Sequence, residues 1–149
     1  MSMSPDAGKP PANTIAMLGQ AYSLLGFRIV DGVVGAGHPI KPRYSAVFGQ
    51  FDPGSPPKRR ATDLARGAGM SPQSMGELLD EMEALGYLRR EADPTDRRAK
   101  LIAMTPLGEQ ALRAGGQAIG GLEADIARIL GDEGRTELRR LLGLLIATE

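Results

Sequence analysis

The chain has 149 residues and a mass of 15.8 kDa, enough for one domain with its own core, or one domain plus an extension that a partner covers, and too few for two full domains. It has no cysteine and a single histidine, which excludes disulfides, thiolate metal sites, cysteine nucleophiles, thiol redox sensing and a multi-histidine metal centre within one chain. Eighteen Lys and Arg balance eighteen Asp and Glu; a formal charge of zero speaks against phosphate-backbone binding unless the charges are unevenly placed.

Residues 1–13, MSMSPDAGKPPAN, are small, polar and proline-rich, lack the apolar stretch of a secretory signal, and read as a disordered arm. The longest apolar run, 141–147, is far below the roughly 20 residues that span a bilayer, so a soluble, cytoplasmic protein is expected. From Thr14, apolar residues at Ile15, Leu18, Tyr22, Leu25, Ile29 and Val33 define one stripe of a long helix, ended by Gly35, Gly37 and Pro39. A shorter helical stretch is expected from Pro42 to Phe51, followed by a loop over 51–57.

Ala61 to Ala68 reads as a short helix, Gly69-Met70 as a turn, and Ser71-Pro72 as a helix start with serine at the N-cap and proline at the first helical position. The helix that follows is expected to bury Met75, Leu78, Leu79, Met82 and Leu85 and to stop at Gly86. Strand-like runs at 87–91 and 99–104 flank a turn at Asp93-Pro94-Thr95-Asp96, which makes a hairpin with a charged tip. Thr105-Pro106 opens another helix, broken at Gly131-Asp132, and Leu138, Leu141, Leu142, Leu145 and Ile146 lie on a last one. Residues 14–149 thus form a single domain, with long helices in 14–54 and 105–149 and a compact lobe in 55–104. The fold class is mainly α with a small β-hairpin wing.

Helix, turn, helix and hairpin in that order is the plan of a winged helix-turn-helix, whose second helix enters the DNA major groove and reads base edges from its first turn. Gln73 and Ser74 are suited to that role, and Gly76 lets backbone approach closely. No acid lies between positions 64 and 76, while those at 77, 80, 81 and 83 fall in the distal part of the helix. Lys58, Arg59 and Arg60 precede the motif; Arg89, Arg90, Arg97, Arg98 and Lys100 lie on the hairpin. A neutral chain can therefore still present a basic face.

The segment DLARGAGMSPQSMGELLDEMEALGYLRREADPTDRRAKLIAMTPLG, roughly 63–108, resembles the core of the MarR family of bacterial transcriptional regulators. Ala65, Gly69, Met75 and Leu78 meet the helix-turn-helix pattern, and the Asp-x-x-Asp-Arg-Arg wing at 93–98, followed by an apolar strand and a Thr-Pro helix start, is the more specific part. The resemblance implies a homodimer joined through its terminal helices, with two winged lobes on a pseudo-palindromic double-stranded operator. Most simply it is a repressor released by a small-molecule effector. It also implies that Arg97 enters the minor groove with Asp96 buttressing it, and that Arg98 and Lys100 contact phosphates. Ser71, Gln73 and Ser74 make the first-turn contacts, and Arg59 and Arg60 add to them where Pro72 replaces a basic residue common among relatives. By the same analogy a phenolic or carboxylate effector sits between the dimerisation and DNA-binding regions, against Tyr22, Arg28, His38, Arg43 and Tyr44.

The alternative is a winged-helix dimer that binds a protein partner and no DNA. An enzyme is not expected, since no phosphate loop, metal cluster or nucleophile paired with a base is present and no cofactor is implied.

Overall fold

A computed structural model describes residues 12–52 and 54–147. The expected N-terminal arm falls outside the described residues over 1–11. Its last member, Asn13, instead caps the first helix, its Oδ1 accepting from the Ala16 N–H at 2.9 Å.

Helix α1 spans Thr14–Gly35, as the periodicity predicts. The stripe that defines it is mostly uncovered within one chain. Val33 is buried and Leu25 and Ile29 are half-buried, but Ile15 and Tyr22 remain about three-quarters exposed, at 76% and 75%. The expected second helix is shorter than 42–51: a 3-10 turn over Pro42–Tyr44 leads into one helical turn, α2, Ser45–Phe48. Strand β1, Lys58–Arg60, follows directly on the expected loop over 51–57 and is an element that the sequence reading does not include.

The helix-turn-helix consists of α3, Ala61–Gly67, and α4, Pro72–Ala84. Ser71 caps α4, its Oγ accepting from the Ser74 N–H at 3.1 Å, with Pro72 in the first turn where no N–H is needed. Met75, Leu78, Leu79 and Met82 point into the core as expected. Leu85 does not; it stands at the C-cap, where the helix has turned its apolar stripe away, and is 45% exposed.

Strands β2, Leu88–Asp93, and β3, Asp96–Met104, form the wing hairpin, and β1 adds to the other side of β3, giving a three-stranded antiparallel sheet in the order β1-β3-β2. Beneath α4, Tyr44, Val47, Leu64, Leu88 and Ile102 complete the apolar core. A smaller cluster of Val33, Tyr87, Ala111 and Ala114 joins α1 to the last helix, with Phe48 set edge-on to Tyr87 at 5.7 Å.

That last helix, α5, runs Pro106–Ile146 and is kinked at Gly131, whose φ of 72° and ψ of 167° are not helical. A positive φ at this point strains any side chain but glycine's, which explains the break expected at Gly131-Asp132. Thr105 caps the start of α5, accepting from the Gly108 N–H at 3.1 Å while its hydroxyl donates to the Gly86 carbonyl.

Gly108 is where α5 presses on the lobe. A Cβ there would stand 2.0 Å from the Tyr87 carbonyl oxygen and 3.0 Å from Met104 Sδ, so neighbouring backbone must move to admit one. Gly108→Ala is therefore expected to destabilise the protein by about 1–3 kcal/mol, as overpacking at a tight contact does, read as a lowered midpoint in urea unfolding. Gly116→Ala, with nothing within 4 Å of the added carbon, should leave the midpoint unchanged or raise it.

Candidate nucleic-acid interface

The first turn of α4 presents Ser71, Gln73 and Ser74, all exposed. In the free chain these groups bond within α4 and its cap. The Ser71 hydroxyl donates to Ser74 Oγ at 2.9 Å, and Gln73 Nε2 donates to Glu77 Oε1 at 3.4 Å. Such exposed, local bonds exchange readily for bonds to a ligand. Gly76 has open space where a Cβ would be.

On the wing, the strands are in register from Leu88↔Met104 to Ala92↔Lys100, then jump to Asp93↔Asp96. Residues 97–99 therefore have no cross-strand partner, and this bulge bends the strand and re-aims its side chains. Arg97, Arg98 and Lys100 are all exposed.

The turn itself is held by Asp93, whose side chain is only 5% exposed. Its Oδ1 accepts from the Thr95 N–H at 2.8 Å and the Thr95 hydroxyl at 2.7 Å, and its Oδ2 accepts from Arg60 Nε at 2.8 Å. The bonds from Thr95 foremost, then those from Arg60, bring the Asp93 carboxyl from 3.8 down to about 2, because they favour the charged form more than burial opposes it. In return Asp93 raises the Arg60 pKa.

This geometry divides the basic residues of the lobe into two groups. Lys58 and Arg89 share Glu91, at 2.5 and 2.8 Å, and hold its carboxyl below the usual range. Arg90 binds Asp80 at 2.7 Å and also Glu83, Arg66 binds Asp63 at 3.1 Å, and Arg59 donates to the Gln50 carbonyl at 3.0 Å. Among the described residues no acid pairs with Arg97, Arg98 or Lys100.

Two expectations change as a result. Arg59 and Arg60, expected to add to the DNA contacts, are drawn by β1 into the lobe's own bonds with the Gln50 carbonyl and Asp93. Asp96 does not buttress Arg97; its Oδ1 accepts from the Arg98 backbone N–H at 3.0 Å and its Oδ2 lies 4.0 Å from Arg60. It holds the backbone of the bulge, while the main wing support is Asp93, which the Asp-Pro-Thr turn signal pointed to without showing its buried partner.

A sequence model of the MarR family matches residues 50–99. Over these residues the winged lobe is similar to the MarR family. Members of that family are non-enzymatic DNA-binding regulators. Solved structures with the same fold include the transcriptional repressor CouR bound to a 23-mer DNA duplex, at 21% identity over 90% of this chain and 92% of that one, with a TM-score of 0.75. A probable transcriptional regulator from Pseudomonas aeruginosa matches at 22% identity, covering 90% of this chain and 97% of that one, with a TM-score of 0.71. A mutant of E. coli MarR complexed with operator DNA matches at 15% identity, covering 87% and 90%, also at 0.71.

Between the winged lobe and the long helices lies a cleft of about 1340 Å³. Tyr22 and Phe27 of α1, Phe48 and Phe51, Met70 and Leu78 of the lobe, and Leu112 and Ile119 of α5 give it a largely apolar wall, with Arg43 and Arg113 as its cations. Of the five residues expected to meet an effector, Tyr22 and Arg43 line this cleft. Arg28, His38 and Tyr44 do not. Arg28 is turned to Asp125 of α5 at 2.5 Å. His38 is buried, 8% exposed, with its ring 6.0 Å from that of Tyr87. Tyr44 is fully enclosed in the core beneath α4. Phe27, Phe48, Phe51 and Arg113 are lining residues that sequence reasoning missed, since aromatic residues at helical spacing read equally as core.

The buried wing carboxylate sets a pH dependence. Because the folded pKa of Asp93 is depressed, its contribution is full above the ordinary value of 3.8 and is lost as pH falls through about 2. The stability difference between the wild type and Asp93→Asn, measured by urea unfolding, is expected to be constant above that window and to shrink within it. A difference independent of pH contradicts the assignment.

Proposed function

We propose that this chain is a DNA-binding transcriptional regulator that works as a homodimer, represses from a pseudo-palindromic operator in the cytoplasm, and is released by a small amphipathic effector. The observation that carries the DNA reading is the unpaired cationic wing tip, Arg97, Arg98 and Lys100, on the same lobe as the exposed polar first turn of α4. A cation already neutralised by a protein carboxylate releases few counterions from DNA, whereas a free one contributes fully. In this reading α4 lies in the major groove, Gln73 and Ser74 meet base edges, and Arg97 enters the adjacent minor groove, where negative potential favours a guanidinium.

The dimer is supported by the terminal helices. Ile15 and Leu24 on α1, and Ile129, Leu141, Leu144 and Ile146 on α5, none of which lines the cleft, are all at least 46% exposed in the single chain. Apolar surface of that extent, far from the lobe's own core, is what a second copy buries in an obligate two-fold dimer. Two recognition helices related by that axis then stand about one DNA turn apart. The effector is supported by the apolar cleft with its aromatic wall, which suits a phenolic or aromatic carboxylate seated against Arg43 or Arg113.

A salt titration tests the DNA reading. On a duplex selected from a random pool, affinity is expected to fall by roughly 10³ to 10⁵ between about 50 and 200 mM salt, as six to ten phosphate contacts require. Arg97→Ala should weaken binding with the dimer intact. A flat salt response together with an intact dimer would favour a protein-binding role instead. For the assembly, Leu141→Asp combined with Leu144→Asp is expected to shift the sedimentation coefficient from dimer to monomer or to leave the chain unfolded. A dimer that persists unchanged contradicts the placement of the interface.

A further inference from the structure

Glu81 lies on the flank of α4 that faces the N-terminal part of the chain, with a side chain 23% exposed. Three groups from one short segment converge on it. Lys41 Nζ and the Tyr44 hydroxyl each donate to Oε1 at 2.6 Å, and the Arg43 guanidinium pairs with Oε2. Tyr44 is anchored in the core, so its bond is fixed at both ends. Arg43 is different: its side chain is 58% exposed and it also lines the cleft. The recognition helix itself reaches the same cleft through Ser74, Glu77 and Leu78.

We propose that the Arg43–Glu81 pair links occupancy of the cleft to the position of the recognition helix. This rests on the reading of the cleft as the effector site and names how that site is coupled to DNA. An anionic group in the cleft competes with Glu81 for Arg43. The cleft's other charges favour that seat, because Asp52, Glu77 and Glu109 repel an anion elsewhere on the wall and leave Arg43 and Arg113 as its partners. When Arg43 turns to the ligand, Glu81 keeps Tyr44 and Lys41 but loses the cation that braces its second oxygen, and α4 is freed on one flank. The ligand then shifts the helix by the difference in its affinity for the two arrangements. Glu81 is thus a positioning residue: it acts on DNA through the seat of α4 and touches no base.

The absence of cysteine from the chain allows a direct test. Ser45, exposed and on the cleft wall, is replaced in Ser45→Cys and the unique thiol is modified with either the anionic sulfonatoethyl or the cationic trimethylammonioethyl methanethiosulfonate. Affinity is measured for a duplex selected from a random pool by the unmodified protein and for an unrelated duplex. The anionic adduct is expected to lower affinity for the selected duplex by roughly tenfold and to leave the unrelated duplex, held by the wing, unchanged. The cationic adduct should alter neither. Adding Glu81→Gln, which is nearly isosteric, should itself lower selective affinity and abolish any further effect of the anionic adduct. Arg43→Ala should match Glu81→Gln, and the two together should be no worse than either. Equal losses from both adducts, an anionic effect that survives Glu81→Gln, or loss of unrelated-duplex affinity in Arg43→Ala each overturn the link while leaving the regulator reading in place. Failure of the unmodified protein to select any duplex overturns that reading and the link with it.

Discussion

The recognition helix is seated by apolar contact from below and by its own carboxylates from the sides. Met75, Leu79 and Met82 are fully enclosed beneath it, and burial of side chains of this size stabilises by about 1.5–3 kcal/mol each, so this face decides whether the lobe folds. Asp80 and Glu83 reach across to Arg90 on the wing strand β2, and Glu81 reaches the other way to residues 41–44. Partly exposed ion pairs are worth only about 0.2–1 kcal/mol each. They add little to the total and a good deal to the placement, because they act from opposite flanks on a helix whose apolar face alone permits some rotation and sliding.

The same pairs explain how a chain of zero net charge can carry a cationic face. Summed charge counts every arginine equally, whereas the field at the surface depends on which arginines keep a carboxylate beside them. Here Asp80 and Glu83 of α4 are matched to Arg90, Glu91 to Lys58 and Arg89, and Asp93 to Arg60, so those groups cancel locally. What remains outward is the bulge at 97–99 and its neighbour Lys100. The bulge is in turn held from inside, by Asp93 bonded to Thr95 and Arg60 and by Asp96 bonded to the Arg98 N–H. Two acids are therefore used to present two arginines without pairing with either.

Local features of this fold were legible in the sequence and long-range ones were not. Helices α1, α4 and α5 follow from periodicity, the starts of α4 and α5 from Ser71-Pro72 and Thr105-Pro106, and the wing turn from Asp93-Pro94-Thr95-Asp96, since each of these signals acts within a few residues. Strand β1 carries no such signal: three basic residues after a proline-rich loop acquire strand geometry only from pairing with β3, more than forty positions away. Its omission left Arg59 and Arg60 as free cations in the sequence reading. Asp96 as the wing support comes from the family resemblance, and the burial that gives Asp93 this role is not visible in the sequence. The candidate effector residues were chosen by chemical type, and type does not separate Tyr22, which faces the cleft, from Tyr44, which the core encloses.

The cleft and the lobe share one frame because α1 and α5 cross closely above them. A Cβ at Gly32 would lie 2.8 Å from the Ala118 Cβ, so the helices meet at nearly backbone distance, and Arg28 ties to Asp125 further along the same crossing. Close-packed helices transmit displacement as rigid bodies more readily than they deform. The wall formed by α1 and α5 is therefore closely coupled across this crossing, and the chain that leaves α1 toward the lobe passes directly through residues 41–44. Any change in the angle between that wall and the lobe is applied at the segment that grips Glu81. The short link between α1 and α2 is thus the point where a change in the cleft and the seat of α4 meet, and the three groups it sends to a single carboxylate are what keep that point from being slack.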